Sequence, residues 1–499
     1  MDIDGENVLK RVRLGDEDVS EKCAYCGKAA KLTEKIGTVT DVDGKEIDLV
    51  PYHFCSHEHQ LAYYSRLEER REGETEWHRR RRLFYMKKLM RAGVIGAMTN
   101  VGNQYLIEDL TRVILVKLLD VAIESFTRES PIACGANHTV LMDQKDYIYV
   151  TGDNTYGQLG IGLDTASMLS TFTPIYMPGV CAVACGAHTT LVLTRDAATR
   201  KTSLWVCGWN KYGALGFADI VQKVDRFRKV RDLDDVVQIR ASNSTHIVLR
   251  ENGTTIPLDR GPYGSVDGKF VIDVSLGERT SVFLHDDNSI YMNQGRILNY
   301  LGPVVGRFAL NDVPIENIVR VIASGSENFF MIDIHGAVYM TEKNVSELNR
   351  YIRLRDEVIR TISFGPSYDY SSQFIALLED GRHIVHGYPY YGELTRKTMP
   401  FVIRHVTHGD DHIFAMTDDG RLYVWGAATN REKSKYDTKL LQNTGILGII
   451  DENGRPIDDT KNEWIQVPYL PTLVRTDNKK ARTLTTMSLF SLLNAGANK

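Results

Sequence analysis

The sequence has no charge-free apolar run of the roughly 18 residues a helix needs to cross a bilayer, so the chain is expected to be soluble, with no membrane span. Its opening residues, MDIDGENVLKRVRLGDEDVSE, lack the apolar stretch of a secretory signal. Cysteine is scarce, 7 in 499 residues, which excludes a small disulfide-stapled secreted domain and fits a reducing, intracellular compartment. Neither sign of charge dominates. Sixty Lys and Arg face 64 Asp and Glu, a net of −4, so the surface as a whole is not built for nucleic acid. Also missing are a GxSxG elbow, a phosphate-binding P-loop, an HExxH pair and paired carboxylates on a recognisable scaffold. No catalytic or cofactor-binding residue is therefore assigned, and the protein is read as non-enzymatic. What is present is 43% hydrophobic residues over a length that suits several domains or one large repeat array.

Self-similarity is the strongest signal. From residue 131 one phrase recurs: an apolar entry, a glycine, a few polar residues, a short apolar strand, a turn and an aromatic-rich strand. The first copy, IACGANHTVLMDQKDYIYVTGDNTYGQLGIG, begins at Ile132, and the second begins at Val183. Weaker copies begin near Ile239, Val274 and Ile322, and two more at Ile362 and Val406. A fragment near Thr483 has only the opening strand. Segments such as TVLM, YIYVTG and RLYVWG, β-branched or aromatic and separated by Asp, Asn and Gly, read as antiparallel strands. Asp419-Gly420 fits a tight hairpin. The phrase Asn154, Gly157, Leu159, Gly160 predicts a second turn with Leu159 pointing inward, and Asn210, Gly213, Leu215 and Gly216 repeat it. After Trp425 the turn returns as NTGILGI at 443–449, so most of the intervening polar stretch is an insertion. One such unit cannot bury its apolar faces alone, so the units must stack.

The combined phrase GxxHTxxL…YxxGxNxYGQLGxG resembles the repeat of the regulator of chromosome condensation family, most closely in units one, two and seven. The resemblance covers about residues 131–496. It implies a mainly β fold, a seven-bladed β-propeller, closed by pairing the two chain ends. Ile256-Pro-Leu-Asp interrupts the third unit, and the fifth lacks the GQLG turn. His138, His246 and His412 each follow the glycine position (Asn243 in the third unit) by three residues, with Thr189, Thr280 and Asn328 in other units. A periodic hydrogen-bonding residue reads as a structural tie between turns rather than a catalytic group.

Ahead of the repeats, Cys23-x2-Cys26 and Cys55-x3-His59 have metal-ligand spacing and flank a strand-like segment with a turn at Asp43-Gly44. This treble-clef-like plan is expected to hold one structural zinc ion through Cys23, Cys26, Cys55 and His59, with His57 and His53 as rival fourth ligands. HFCSHEH is similar to the FCSxxC ending of zinc knuckles of the YHS and TRASH type. Residues 1–22 then form an acidic N-terminal segment, 23–62 a zinc-knuckle module, 63–130 a helical, basic arm and 131–499 the propeller. Within the arm, apolar residues at 106, 107, 110, 113, 114, 118 and 121 form a helical stripe. WHRRRRLFYMKKLMR at 77–91 is a basic helix with three aromatics. Its two readings are a solvated face paired with the acidic stretch upstream, which is preferred, and a nucleic-acid or acidic-protein contact; a nuclear-localisation signal is a third.

The functional expectation is an interaction scaffold that takes protein partners on its propeller faces, with a structural zinc module; a subunit of a large assembly is one form of that reading. The alternatives implied by the resemblance are guanine-nucleotide exchange on a Ran-like GTPase, or a ubiquitin-ligase or trafficking adaptor.

Overall fold

The computed structural model describes residues 32–33, 37–40, 46–49, 53–54, 71, 73–91, 130–218, 220–259, 268–277, 280–294, 304–306, 318–324, 328–334, 338–341, 351–353, 359–364, 374–378, 382–386, 396–398, 403–409, 412–417, 419–426, 447–457, 460, 463–468 and 470. The chain divides into two compact units, one of residues 1–72, 89–120 and 496–499, the other of 73–88 and 121–495.

In the first unit, β1 (Leu32–Thr33) pairs antiparallel with β4 (His53–Phe54), and β2 (Gly37–Thr40) with β3 (Glu46–Leu49). The expected hairpin between the two ligand pairs is thus present. Cys23, Cys26, Cys55, His57 and His59 lie outside the described residues, as do the 106–123 helix and the Thr483 fragment.

In the second unit, α1 (Glu76–Arg91, of which 76–88 belong here) precedes seven successive antiparallel meanders among the described residues. Sheet 1 is β5 (Ile132–Cys134), β6 (His138–Met142), β7 (Tyr147–Asp153) and β8 (Met168–Tyr176). Sheet 2 is β9 (Val180–Gly186), β10 (Thr189–Arg195), β11 (Thr202–Trp209) and β12 (Lys223–Lys229). Sheet 3 has three strands, β13 (Val236–Ser242), β14 (Thr245–Arg250) and β15 (Thr255–Pro257). Sheet 4 is β16 (Val271–Leu276), β17 (Thr280–His285), β18 (Ile290–Gln294) and β19 (Val304–Gly306). Sheet 5 is β20 (Ile318–Ser324), β21 (Asn328–Asp333), β22 (Val338–Thr341) and β23 (Tyr351–Arg353), and sheet 6 runs from β24 (Ile359–Phe364) to β27 (Arg396–Thr398). Sheet 7 is β28 (Ile403–His408), β29 (His412–Thr417), β30 (Leu422–Gly426) and β31 (Ile465–Gln466).

Burial explains the composition of these strands. The second strand of a sheet is covered on both faces by its neighbours, so β10 is buried at six of its seven positions and reads as a continuous apolar run. The outermost strand β12, KVDRFRK, keeps only Val224 buried and sets charges on the free edge, which discourages pairing with another chain. Among the described residues the third sheet stops at the strand that Pro257 ends. Lacking an N–H, this proline pairs with Ile247 on one side and cannot serve a further strand on the other. At Asp419-Gly420 the expected hairpin forms, with Gly420 at φ 83°.

First strands pack on first strands along the series, from sheet 1 to sheet 5 and from sheet 6 to sheet 7, and β28 packs on β5. The expected closure through the Thr483 fragment falls outside the described residues. Among the described residues, sheets 1 and 7 are each built from contiguous chain, and they meet through side chains, not a shared strand. Ile132, Cys134 and Leu141 of sheet 1 form one apolar cluster with Phe414, Met416, Leu422 and Val424 of sheet 7.

Candidate functional site

The repeat histidines are deep in this unit. His138, His246 and His412 are each 0% exposed, at the start of a second strand or one residue after it. Each reaches across to a neighbouring sheet. His412 Nε2 lies 3.0 Å from Thr139 Oγ1, His138 Nε2 3.0 Å from Thr190 Oγ1, and His246 Nε2 2.7 Å from Thr189 Oγ1. The Thr190 hydroxyl donates to the Gln158 carbonyl at 2.6 Å, so it accepts from the His138 Nε2–H. These bonds tie sheets 7, 1, 2 and 3 in succession, the structural role that their periodicity suggested. Glycine precedes the His138 and His412 rings because the imidazole lies against its backbone: a Cβ on Gly135 or Gly409 would overlap the ring; before His246 that place is Asn243.

Burial pushes the His138 and His412 imidazoles down to about 3, so both are neutral at physiological pH. A cavity of about 210 Å³ lies among the first strands of sheets 1, 2, 3, 4, 5 and 7. Its wall carries the thiols of Cys134 and Cys185 and the side chain of Arg240, which donates to the carbonyls of Val274 and Ile239. Burial pushes the Cys134 thiol up to about 12 and raises Cys185 well above its ordinary value, so neither is a thiolate nucleophile at neutral pH. Chemically, this interior holds shape.

α1 is not solvated along its length. Trp77, Phe84, Tyr85 and Met86 are buried, as are Arg82 and Lys88. Trp77 donates its indole N–H to the Val271 carbonyl at 3.1 Å, and Tyr85 donates its hydroxyl to the Val319 carbonyl at 2.9 Å. Those carbonyls open the first strands of sheets 4 and 5. Lys88 bonds the Asn288 side chain at 2.7 Å, and Arg82 pairs with Glu74 at 2.7 Å in a nearly buried ion pair. The solvated-face reading of 77–91 is corrected: acidic partners upstream are real, but the aromatic side faces the sheets. That burial also removes these aromatics from any nucleic-acid contact.

The opposite face of the sheets, where first strands end, carries exposed chemistry that sequence reasoning did not single out. Tyr156, after β7, stacks on Trp209 at the end of β11 with centroids 4.8 Å apart and planes at 27°. His188, between β9 and β10, meets Tyr156 at 4.8 Å and Trp209 at 5.8 Å. Lys211 Nζ sits 4.7 Å from the Trp209 centroid and 5.0 Å from that of Tyr212, and Lys223 Nζ 5.2 Å from that of Tyr156. The turns that carry these rings are the predicted ones. Asn154 and Asn210 are buried and accept from the amides of Leu159 and Leu215 at 3.1 and 2.9 Å, while Gly157, Gly160, Gly213 and Gly216 all have positive φ. The available signal was the shared tyrosine of NTYGQLG and NKYGALG, two residues after each asparagine.

No group of three or more His, Cys, Asp or Glu side chains able to hold a metal occurs among the described residues. No helix among them is long and apolar enough to cross a membrane.

The regulator of chromosome condensation (RCC1) repeat matches residues 132–158 and 403–431. The X-linked retinitis pigmentosa GTPase regulator of Mus musculus is 31% identical over 134 residues, 26% of this chain and 13% of that protein. The protein RCC2 homolog of Xenopus laevis is 25% identical over 243 residues, 46% of this chain and 44% of its own. Human E3 ubiquitin-protein ligase HERC2 is 27% identical over 184 residues, 32% of this chain and 4% of that protein. The chain thus spans less than half the length of each of these relatives. Among solved structures, human WBSCR16 aligns with a TM-score of 0.49 at 18% identity, covering 66% of this chain and 96% of that one. Yeast RCC1 (Prp20), bound to Kap60, aligns at 0.47 and 16%, covering 70% and 89%. The chain therefore carries RCC1-type repeats in a mainly β architecture of successive meander sheets.

Proposed function

We propose that this protein is a non-enzymatic protein–protein interaction scaffold. The seven sheets are the seven blades of one closed propeller, whose two faces offer loops to partners, and the protein works as a subunit of a larger assembly. Residues 23–62 fold around one structural zinc ion held by Cys23, Cys26, Cys55 and His59. Such an ion stabilises a module too small for a core of its own. The observation that carries the scaffold reading is the disposition of reactive side chains in the repeat unit: the histidines are neutral sheet-to-sheet ties and the cavity thiols stay protonated, while aromatic and cationic groups face outward at sheets 1 and 2. Cross-linking and affinity purification from the native source tests it; an isolated monomer of native mass in that lysate counts against it. Metal analysis of the purified full chain tests the zinc module, with about one zinc expected per chain. Cys26→Ser should abolish it and leave the melting of the sheets unchanged.

Guanine-nucleotide exchange is a second reading, favoured by the name of the mouse relative, a GTPase regulator. Release of labelled GDP from a panel of small GTPases decides it, and release no faster than background removes it. Recruitment of substrates to a ubiquitin ligase, suggested by the name of the HERC2 relative, is the scaffold reading with a different partner.

A further inference from the structure

We propose that the face formed by Tyr156, Trp209, Lys211, Tyr212 and Lys223 docks an acidic segment of a partner protein. This rests on the scaffold reading and names the chemistry of the partner. Repeat register is the first argument. Tyr156 and Tyr212 occupy the same step of NTYGQLG and NKYGALG. Tyr156 is covered by His188 and Trp209 of the next sheet. Tyr212 by contrast stands 60% exposed. Backbone strain is the second. Tyr212 holds φ 58° and ψ 26°, left-handed territory that a bulky aromatic rarely enters. The loop gripped by the Asn210 side chain adds Ile220, 89% exposed.

Charge gives the third argument. Among the described residues, the nearby carboxylates are engaged internally: Asp153 accepts from Thr155 and Gln158, Asp225 from the Leu163 amide, and Asp164 pairs with Arg226. Among the described residues the Lys223 ammonium has one acceptor, the Thr155 carbonyl at 3.1 Å, and it can make three such bonds. Two ammonium groups framed by rings suit carboxylates. A single-stranded nucleic acid needs open ring faces on which to stack bases, whereas Trp209 and Tyr156 are covered by one another and by Lys211 and Lys223.

Fluorescence anisotropy of the full chain tests this with three fluorescein-labelled probes: a peptide alternating glutamate and glycine, the same peptide with glutamine for glutamate, and oligo-dT of equal length. The glutamate peptide should bind and weaken as salt rises, and the glutamine peptide should not. Lys211→Glu with Lys223→Glu should weaken binding about tenfold or more. Tyr212→Gly should weaken binding while raising the melting temperature, a split that general misfolding cannot produce. Failure of the glutamate peptide to bind, equal binding by these variants, or tighter oligo-dT binding lost in the same variants each overturns the proposal. If the proposal fails while the chain still cross-links to a partner in its source lysate, the scaffold reading stands. If no partner is captured, both fall.

Discussion

Replacing Thr139 with valine isolates the contact that joins the last sheet to the first. Thr139 Oγ1 and His412 Nε2 are 3.0 Å apart, both side chains have no solvent exposure, and threonine and valine have nearly the same shape. The change therefore opens almost no cavity. It removes that hydrogen bond and the weaker 3.5 Å contact between the same hydroxyl and Cys134 Sγ, and leaves an imidazole nitrogen in an apolar seam, a cost of about 1–3 kcal/mol. One or two kcal/mol multiplies an opening equilibrium by a factor of about 5–30. Native-state hydrogen exchange should show that increase at amides of β5, β6 and β29, with the protection of β13 and β14 unchanged. Thr190→Val, which severs the His138 tie between sheets 1 and 2, should instead expose the β6 and β10 side of the next seam. If Thr139→Val changes exchange equally in all sheets, or nowhere, the hydroxyl–imidazole bond does not hold the closure and the reasoning is wrong.

Three further outcomes are expected. Because burial lowers His138 and His412 to about 3 from an ordinary value near 6.5, the unfolded chain binds more protons across that interval; their contribution is complete above about pH 6.5 and falls by about 1.4 kcal/mol per pH unit for each histidine as acid is added. Melting temperature followed from pH 7.5 down to 5 should decline, and His138→Gln with His412→Gln should flatten the slope. Trp77→Ala should cost about 3–5 kcal/mol by urea titration, the range for emptying a large buried aromatic site, since the indole packs with Ile247, Leu249, Val271 and Phe283; an effect under about 1 kcal/mol would mean that α1 is not seated there. Gly135→Ala should destabilise by about 1–3 kcal/mol through overpacking against the His138 ring, whereas Gly73→Ala, where an added methyl would meet no neighbouring atom and φ is 72°, should cost about 1 kcal/mol from backbone strain alone.

All seven unit starts could be read from the sequence because the cues are local: a glycine that accepts a ring, an asparagine that caps its own turn, a leucine that points inward. Leu159, Leu215 and Leu447 are each 0% exposed, as their shared phrase predicted. That sheet 3 stops, among the described residues, at the strand Pro257 ends was legible for the same reason, since proline carries its own veto on a further strand. What escaped depends on distant residues. The Trp77 indole finds its acceptor 194 positions away, and nothing local in WHRRRRLFYMKK distinguishes an aromatic facing sheets from one facing solvent. The aromatic–basic face likewise draws on two repeat units, with Tyr156 from one and His188 and Trp209 from the next. Pattern reading within a unit does not assemble such a surface.

The seams between sheets are filled from different parts of the chain. Where sheet 7 meets sheet 1, the repeat's own Leu447 joins the apolar cluster; between sheets 1 and 2 it is Leu159, and between sheets 2 and 3 it is Leu215. Between sheets 3 and 4 the cluster of Ile247, Leu249, Val271, Val274, Phe283 and Tyr291 takes in Trp77. Trp77, a side chain from outside the repeats, thus packs in this seam at the start of the first strand of sheet 4. A seam needs a large apolar group of any origin to exclude water. The helix also sets the two faces apart. α1 occupies the start of the first strands at sheets 4 and 5 through the Val271 and Val319 carbonyls, so a partner approaching there meets a helix. At sheets 1 and 2, on the side where first strands end, the repeat turns remain intact and their aromatic and lysine side chains face outward.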